Sequence, residues 1–254
     1  MLSHERQKQI HALIRRNKSA SVNDLSTQLG ISLSTVRRDL KEMEERGLVT
    51  RVHGGALLVE DGAEPERPAL QRHDVNADAK RRIAEAAARL VNDGETIILT
   101  AGTTVEAMLP FLVDHKNLTV VTNVINIAYE LSAYPHITVV VLGGWLRHSE
   151  FSLLGHLTQQ ALKDIYAHKI IHGTYGIHPD YGLTGTYVQE VETDRFLINA
   201  AAQLIVVADA SKFKQVGSVR LAPAERIHTL ITDTAAEDDE VGKIADCGVQ
   251  VLRV

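Results

Sequence analysis

The feature that most constrains this chain is a series of short apolar runs rich in β-branched residues, at 96–99, 118–121, 137–142, 204–208 and 229–231, spaced by helical stretches. A strand that is apolar at nearly every position buries both faces, and strands joined through helices run parallel. The pattern predicts a mainly parallel α/β sheet covered on both sides, with an alanine-rich helix over 78–91 leading into it. No apolar run approaches the roughly 18–20 residues of a membrane helix, and the opening MLSHERQKQIHALIRR is polar and amphipathic. Cys247 is the one cysteine, so no internal disulfide can form. Together these features give the expectation of a cytoplasmic protein.

The first sixty residues obey a different period. Ile10, Leu13 and Ile14 mark a helix over 4–16; Leu25 and Leu29 mark a second, opening at Ser21 and stopping at Gly30; Val36, Leu40 and Met43 mark a third from Ser32 to Gly47. The strands expected next, 48–52 and 56–59, flank a His53-Gly54-Gly55 turn. Residues 60–68, EDGAEPERP, lack apolar periodicity and read as linker. The expected division is a head at 1–59, a linker at 60–76 and a body at 77–254.

Charge separates these parts. Residues 1–56 carry ten basic and six acidic side chains, a net +4, within a chain whose total is -5. A small positive head on an acidic body points to a polyanion partner for the head. The second and third helices, joined by Leu29-Gly30-Ile31-Ser32, have the proportions of a helix-turn-helix. Such a motif needs an apolar underside and short polar side chains where base edges come within reach. Ser32, Leu33, Ser34 and Thr35 supply that tip, Arg37 and Arg38 can reach phosphates or a guanine edge, and Arg51 and His53 stand on the hairpin as a wing. The plainer alternative is a three-helix packing module with solvated arginines and an ordinary flap.

The strings Glu5-Arg6-Gln7-Lys8-Gln9-Ile10, Val22-Asn23-Asp24-Leu25-Ser26-Thr27-Gln28-Leu29-Gly30-Ile31-Ser32, Ser34-Thr35-Val36-Arg37-Arg38-Asp39-Leu40 and Arg51-Val52-His53-Gly54-Gly55-Ala56 resemble the DNA-binding domain of the DeoR family of bacterial transcription regulators. The resemblance implies a winged helix-turn-helix, its motif at about residues 20–39, that binds operators as a repressor of carbohydrate or related catabolic genes. Repeated half-sites on DNA call for a homodimer or homotetramer.

In the body, Gly102-Thr103-Thr104 follows the first strand and opens the next helix, which offers backbone amides and two hydroxyls to a phosphate. An ordinary turn with a threonine cap explains it about as well. Thr122-Asn123, Gly143-Gly144 and Asp209-Ala210-Ser211-Lys212-Phe213 also follow strand ends, the edge at which open α/β sheets bind ligands. With Gly176-Ile177 and Glu190 these resemble the DeoR-type sensor domain, a Rossmann-like fold similar to ribose-5-phosphate isomerase. That resemblance implies a small phosphorylated metabolite as effector and no cofactor. Gly102, Thr103 and Thr104 would hold the phosphate, Asn123 and Glu190 would face hydroxyls, and Lys212 would meet the anionic end, with Gly143, Gly144, Tyr175 and Asp209 also lining the pocket. Lys212 can instead complete a surface salt bridge to Asp209. Three positions depart from the family pattern. Thr100 and Tyr175 stand where acidic or small polar residues are common, and Asp194 where lysine is frequent, which implies an effector unlike the common hexose or glycerol phosphates.

The densest histidines, His168, His172 and His178, lack a carboxylate at metal-binding spacing, so no metal is expected. The reading is of a regulator and not an enzyme. An isomerase with a DNA-binding appendage is the alternative, with Glu190 and Asp209 as its only candidate bases.

Overall fold

The computed structural model describes residues 3–17, 19–45, 49–52, 55–58 and 68–254. The chain divides into two compact units, Met1–Arg67 and Pro68–Val254. The first contains α1 (Ser3–Asn17), β1 (Ser19–Ser21), α2 (Val22–Leu29), α3 (Leu33–Glu45), β2 (Val49–Val52) and β3 (Gly55–Leu58). Ser21 Oγ accepts the Asp24 amide at 3.0 Å and starts α2. Gly30, at φ 64°, ends it by donating its amide to the Ser26 carbonyl. Ile10, Ile14, Leu25, Val36, Leu40 and Met43 pack into one core, so the three helical stripes of the sequence meet. The expected stop at Gly47, the turn at 53–54, the end of the second strand at Val59 and residues 60–67 of the expected linker lie outside the described residues.

β1 is invisible to hydrophobic periodicity, because Ser-Ala-Ser contains no apolar alternation. It forms against the free edge of β3, with Ser21 opposite Gly55. A Cβ at Gly55 would lie 2.4 Å from the Ala20 carbonyl oxygen, so the two backbones approach only because this residue is glycine. Gly55→Ala is therefore expected to destabilise the first unit by about 1–3 kcal/mol. Thermal unfolding followed by circular dichroism should show its transition lowered; an unchanged transition would mean that β1 and β3 separate at no cost.

The second unit runs α4 (Ala69–Arg72), α5 (Ala77–Ala88), β4 (Thr96–Leu99), α6 (Thr103–Glu106), α7 (Leu109–Leu112), β5 (Thr119–Thr122), α8 (Ile125–Leu131) and β6 (Thr138–Val141). It continues through β7 (Trp145–Arg147), β8 (Ser152–Leu154), α9 (His156–Ala161), β9 (Ala167–Gly173), β10 (Gly176–His178), β11 (Gly182–Gly185) and α10 (Val188–Asn199). It closes with β12 (Ala201–Val207), β13 (Val219–Ala222), β14 (Thr229–Thr232), α11 (Asp238–Asp246) and β15 (Gln250–Arg253). Seven strands form a parallel sheet in the order β15-β14-β12-β9-β4-β5-β6. All five apolar runs lie in it. Side chains alternate across it: Ile97 and Leu99 pack with α5, α7 and α8, whereas Ile98 packs with α10 and α11. The antiparallel sheet β10-β11-β13 and the hairpin β7-β8 are built from strands of four residues or fewer, too short to carry a period.

Strand order fixes where a ligand can enter. From β4 the chain steps outward through β5 to β6, then returns to β9 on the other flank of β4 and proceeds through β12 to β14 and β15. The connections diverge between β4 and β9, so a crevice opens there beyond the strand carboxyl ends. Pro68–Asn76, which composition assigns to the linker, belongs to this unit and carries α4. No helix among the described residues is long and apolar enough to cross a membrane.

Candidate functional site

On α3, Val36, Asp39, Leu40 and Met43 are buried, while Leu33, Ser34, Arg37 and Arg38 are exposed. Spacings of four place Leu33 beside Arg37 and Ser34 beside Arg38 on the outward face. Ser32 Oγ accepts the Thr35 amide at 3.2 Å and lies 2.9 Å from Ser34 Oγ and 2.8 Å from Thr35 Oγ1. Ser32 thus starts the helix, and the hydroxyls of the tip hold one another. Arg37 and Arg38 pair with no carboxylate among the described residues. Leu33 is 41% exposed, an apolar side chain turned to solvent at the tip, as contact with a thymine methyl requires. The underside is locked by charge as well as by the core. Arg6 donates to both Asp39 oxygens, at 2.5 and 2.9 Å, and Gln7 donates to Glu42 at 2.6 Å. Of the wing, Arg51 lies in β2 and His53 lies outside the described residues.

In the second unit the ends of β4 and β9 approach each other through two glycines. A Cβ on Gly102, at φ 140°, would meet Gly173 Cα at 3.6 Å, and one on Gly173 would lie 3.2 Å from the Ala101 carbonyl oxygen. The two backbones come this close because neither residue carries a side chain. Thr103 and Thr104 follow, both buried. The helix they open is only one turn, Thr103–Glu106, so its dipole is small.

The other strand ends do different work. Asn123 donates from Nδ2 to the Leu153 carbonyl at 3.0 Å, and its buried Oδ1 has no hydrogen-bond partner among the described residues. Gly143 and Gly144 sit beyond β6, two strands and roughly 10 Å from β4. A Cβ on Gly144 would strike the Leu154 carbonyl oxygen at 2.5 Å, so this glycine seats the β7-β8 hairpin. Tyr175 is buried just after β9. Glu190, on α10, forms an ion pair with Arg147, whose guanidinium lies 4.8 Å from the centroid of the Tyr187 ring. Asp209 Oδ1 accepts the Ser211 amide at 2.9 Å and Asn76 Nδ2 at 3.3 Å. Lys212 forms no ion pair with Asp209, which leaves its ammonium available at the edge.

The segment that opens the unit is tied to this same edge. The Ala69 amide donates to Ser149 at 2.9 Å, Arg72 pairs with Glu150, His73 Nε2 lies 3.1 Å from Glu106, and Lys80 donates to the Arg72 carbonyl. His73, Lys80, Thr103, Glu106 and Glu130 line a cavity of about 240 Å³. Burial lowers the Lys80 pKa, opposed by Asp209. Burial also pushes the Glu106 carboxyl up, and the His73 ring offsets this only in part. A carboxyl raised in the folded state keeps its proton to higher pH than in the unfolded chain, so stability falls as pH climbs past the ordinary carboxylate range. Glu106→Gln is thus expected to raise the melting temperature of the second unit by about 2 °C at pH 7, with the gain vanishing near pH 4. Scanning calorimetry at both values checks the sign.

Residues 6–61 match the DeoR-like helix-turn-helix domain, and residues 75–234 match the DeoR C terminal sensor domain. The chain belongs to the DeoR family. It is 34% identical over 251 residues to the HTH-type transcriptional regulator GolR of Listeria innocua, covering 99% of this chain and 98% of that one. It is 29% identical to the glycerol-3-phosphate regulon repressor of Escherichia coli K12, covering 97% of each. Among solved structures, ribose 5 phosphate isomerase A from Neisseria gonorrhoeae aligns at 19% identity over 54% of this chain and 53% of that chain, with a TM-score of 0.41, a likeness that carries no argument.

This DeoR chain is therefore a DNA-binding regulator with a sensor domain. Its sensor holds several groups near the crevice that neither pattern nor spacing singled out: Arg72, His73, Asn76, Lys80, Glu106 and Arg147. The first four lie in or beside a stretch whose prolines and acidic residues look like linker, and Arg147 is on a three-residue strand. The histidines weighed for metal are dispersed. His168 Nδ1 accepts the Thr96 amide at 3.0 Å, His178 Nδ1 accepts the Asp180 amide at 3.1 Å, and His172 is buried at the end of β9. A larger cavity, about 440 Å³, lies at the opposite, amino-terminal edge of the sheet. There Lys169 is engaged by Glu95, and His228 accepts the Leu204 amide.

Proposed function

We propose that this protein is a metabolite-responsive repressor of carbohydrate or related catabolic genes, acting in the cytoplasm. Its α3 reads the major groove of an operator, and a small phosphorylated metabolite in the β4–β9 crevice changes operator affinity. The observation that carries the first part is the outward face of α3: Leu33, Ser34, Arg37 and Arg38 stand exposed on a helix whose other face is fixed by the core and by Asp39. The effector reading is supported by the close approach of the Gly102 and Gly173 backbones at the strand ends, by Thr103 and Thr104 beside it, and by Lys80 and Lys212 close enough to influence each other's charge. The name of the glycerol-3-phosphate relative agrees with a phosphorylated ligand.

Coupling requires that the ligand bind two arrangements unequally, since equal affinity shifts nothing. The device offered here is Pro68–Lys80, the chain leaving the DNA-binding unit, which is held at the crevice edge by Glu150, Glu106 and Asp209. An isomerase reading is disfavoured because both candidate bases are engaged, Asp209 as a helix cap and Glu190 by Arg147. The test is titration of labelled upstream DNA by the full chain, with and without sugar phosphates. Retardation beyond a scrambled duplex, altered by at least one sugar phosphate, is expected. Equal retardation of both duplexes rejects specific reading, and turnover of any sugar phosphate would promote the enzyme.

A further inference from the structure

One edge of the seven-stranded sheet is guarded by charge and the other is not. On β15 the exposed residues are Gln250 and Arg253, and Arg253 pairs with Asp238. On β6 they are Thr138, Val140 and Val141, within the stretch 137–146, ITVVVLGGWL, that holds no charged side chain. Free edges are ordinarily protected by charge, proline or a bulge, because unpaired amides and carbonyls template pairing with another strand. β6 has none of these, and β5 is its only strand partner among the described residues. The Thr138 amide donates to the Leu118 carbonyl at 2.9 Å and the Leu142 amide to the Thr122 carbonyl at 2.8 Å. Alternate residues therefore bond β5, and Val139 and Val141 turn their amides and carbonyls outward. Val139 packs with the core on the α8 face, which Val141 shares while remaining 50% exposed. On α8 itself, Asn126 bonds Glu106, and Ile127 and Leu131 are buried against the sheet. Ile125 and Tyr129, one turn apart, are left facing solvent, Tyr129 at 82% exposed. Since α8 packs on β6, unpaired backbone and uncovered apolar side chains share one flank.

We propose that the β6 edge, with the outer side of α8, is the interface at which a second copy of this chain pairs antiparallel, β6 to β6, about a twofold axis at Val140. Val139 then opposes the partner's Val141, and the reverse, each pair exchanging both backbone hydrogen bonds, so that two sheets become one. Such an edge is complementary to itself, which an isologous contact requires. Charge selects the same occupant. The residues after 56 carry a net -9, since the head's +4 lies within a total of -5, so two copies repel except where they meet through an uncharged patch. A basic partner drawn to the acidic body would find no carboxylate on this strand. Pairing also supplies the two heads that repeated half-sites call for. It is measured without DNA or metabolite, so it can fail while the operator and effector readings stand, and they can fail while it stands.

The experiment is sedimentation velocity of the full chain over a range of concentrations. The wild type should sediment as a dimer or an even multiple of one. Val140→Lys and Val140→Glu each set like charges face to face across the axis and should weaken association about tenfold or more. An equimolar mixture of the two brings opposite charges together and should restore it, a rescue that a folding defect would not show. Val140→Cys in a Cys247→Ser chain keeps the edge uncharged and gives a second readout. An opposed pair without backbone bonds stands at about 4.5 Å between Cα atoms, within disulfide reach, so mild oxidation should yield a covalent dimer. A monomeric wild type overturns the inference. So does a Val140→Lys chain that associates as tightly as the wild type, a mixture that stays dissociated, or a Val140→Cys chain that forms no covalent dimer.

Discussion

Arg37→Ala is expected to weaken operator binding by about 1–3 kcal/mol, the cost of one good base or charged contact. Arg37 is exposed, pairs with no carboxylate among the described residues, and stands one turn after Leu33 on the face of α3 that the core leaves free. Truncation there removes no packing, so the melting temperature should hold while affinity falls. Fluorescence anisotropy at fixed salt measures the loss, and a salt series separates its origin. A phosphate contact would lower affinity uniformly across sequences and flatten the salt slope by about one, whereas a base contact would relax preference at one position. Unchanged affinity at fixed salt would mean that α3 does not lie in the groove.

Why this face is open and the opposite one closed was only half legible in the residues. Val36, Leu40 and Met43 announce their burial by helical spacing, and Gly30 announces the turn. Asp39 does not. In the sequence it is one of six acids in a basic head, yet it is fully buried because Arg6, 33 positions earlier, reaches it with two hydrogen bonds. No local pattern encodes a pairing at that separation. Likewise Ser19–Ser21 forms a strand only because Gly55 lets β3 approach.

The body divides in the same way. Its five apolar runs are strands, because a doubly covered parallel sheet imposes a composition that survives without context. The residues after those strands share an edge, so the placement of Gly102, Thr103, Asn123 and Asp209 on one edge of the sheet follows from topology alone. Their individual tasks do not follow from it. Gly144 and Gly102 look alike in the sequence, but a side chain at Gly144 would collide with the Leu154 backbone, whereas a Cβ at Gly102 would make ordinary contact with Gly173 Cα at 3.6 Å. Glu190 reads as a free carboxylate until Arg147, which sits on a three-residue strand, is seen against it. Pro68–Asn76 reads as linker because its contacts are polar and long-range, the kind that leaves no periodic trace.

Thr103→Val should abolish the effect of metabolite on operator binding while binding without metabolite persists. The substitution keeps the branched shape of a side chain that is 5% exposed and removes one hydroxyl, so the packing of α6 against α5 and β9 has little reason to change. What it removes matters because the α6 helix is a single turn. A longer helix would hold an anion through its dipole and terminal amides, and the loss of one hydroxyl would then be minor. In the proposed site the field would be assembled from separate groups, the amides after Gly102, the two threonine hydroxyls and the Lys80 and Lys212 ammonium ions, so each would carry a larger share. A phosphate deprived of one charge-assisted hydrogen bond in a partly buried site loses about 1.5–3 kcal/mol, roughly tenfold to more than a hundredfold in affinity. Metabolite at a concentration that shifts the wild type would leave such a variant mostly unoccupied. The readout is the operator titration repeated at rising ligand: a curve that no longer moves is the expected result. A ligand response that survives intact in Thr103→Val would place the phosphate away from the β4 turn, and with it the crevice as the sensor.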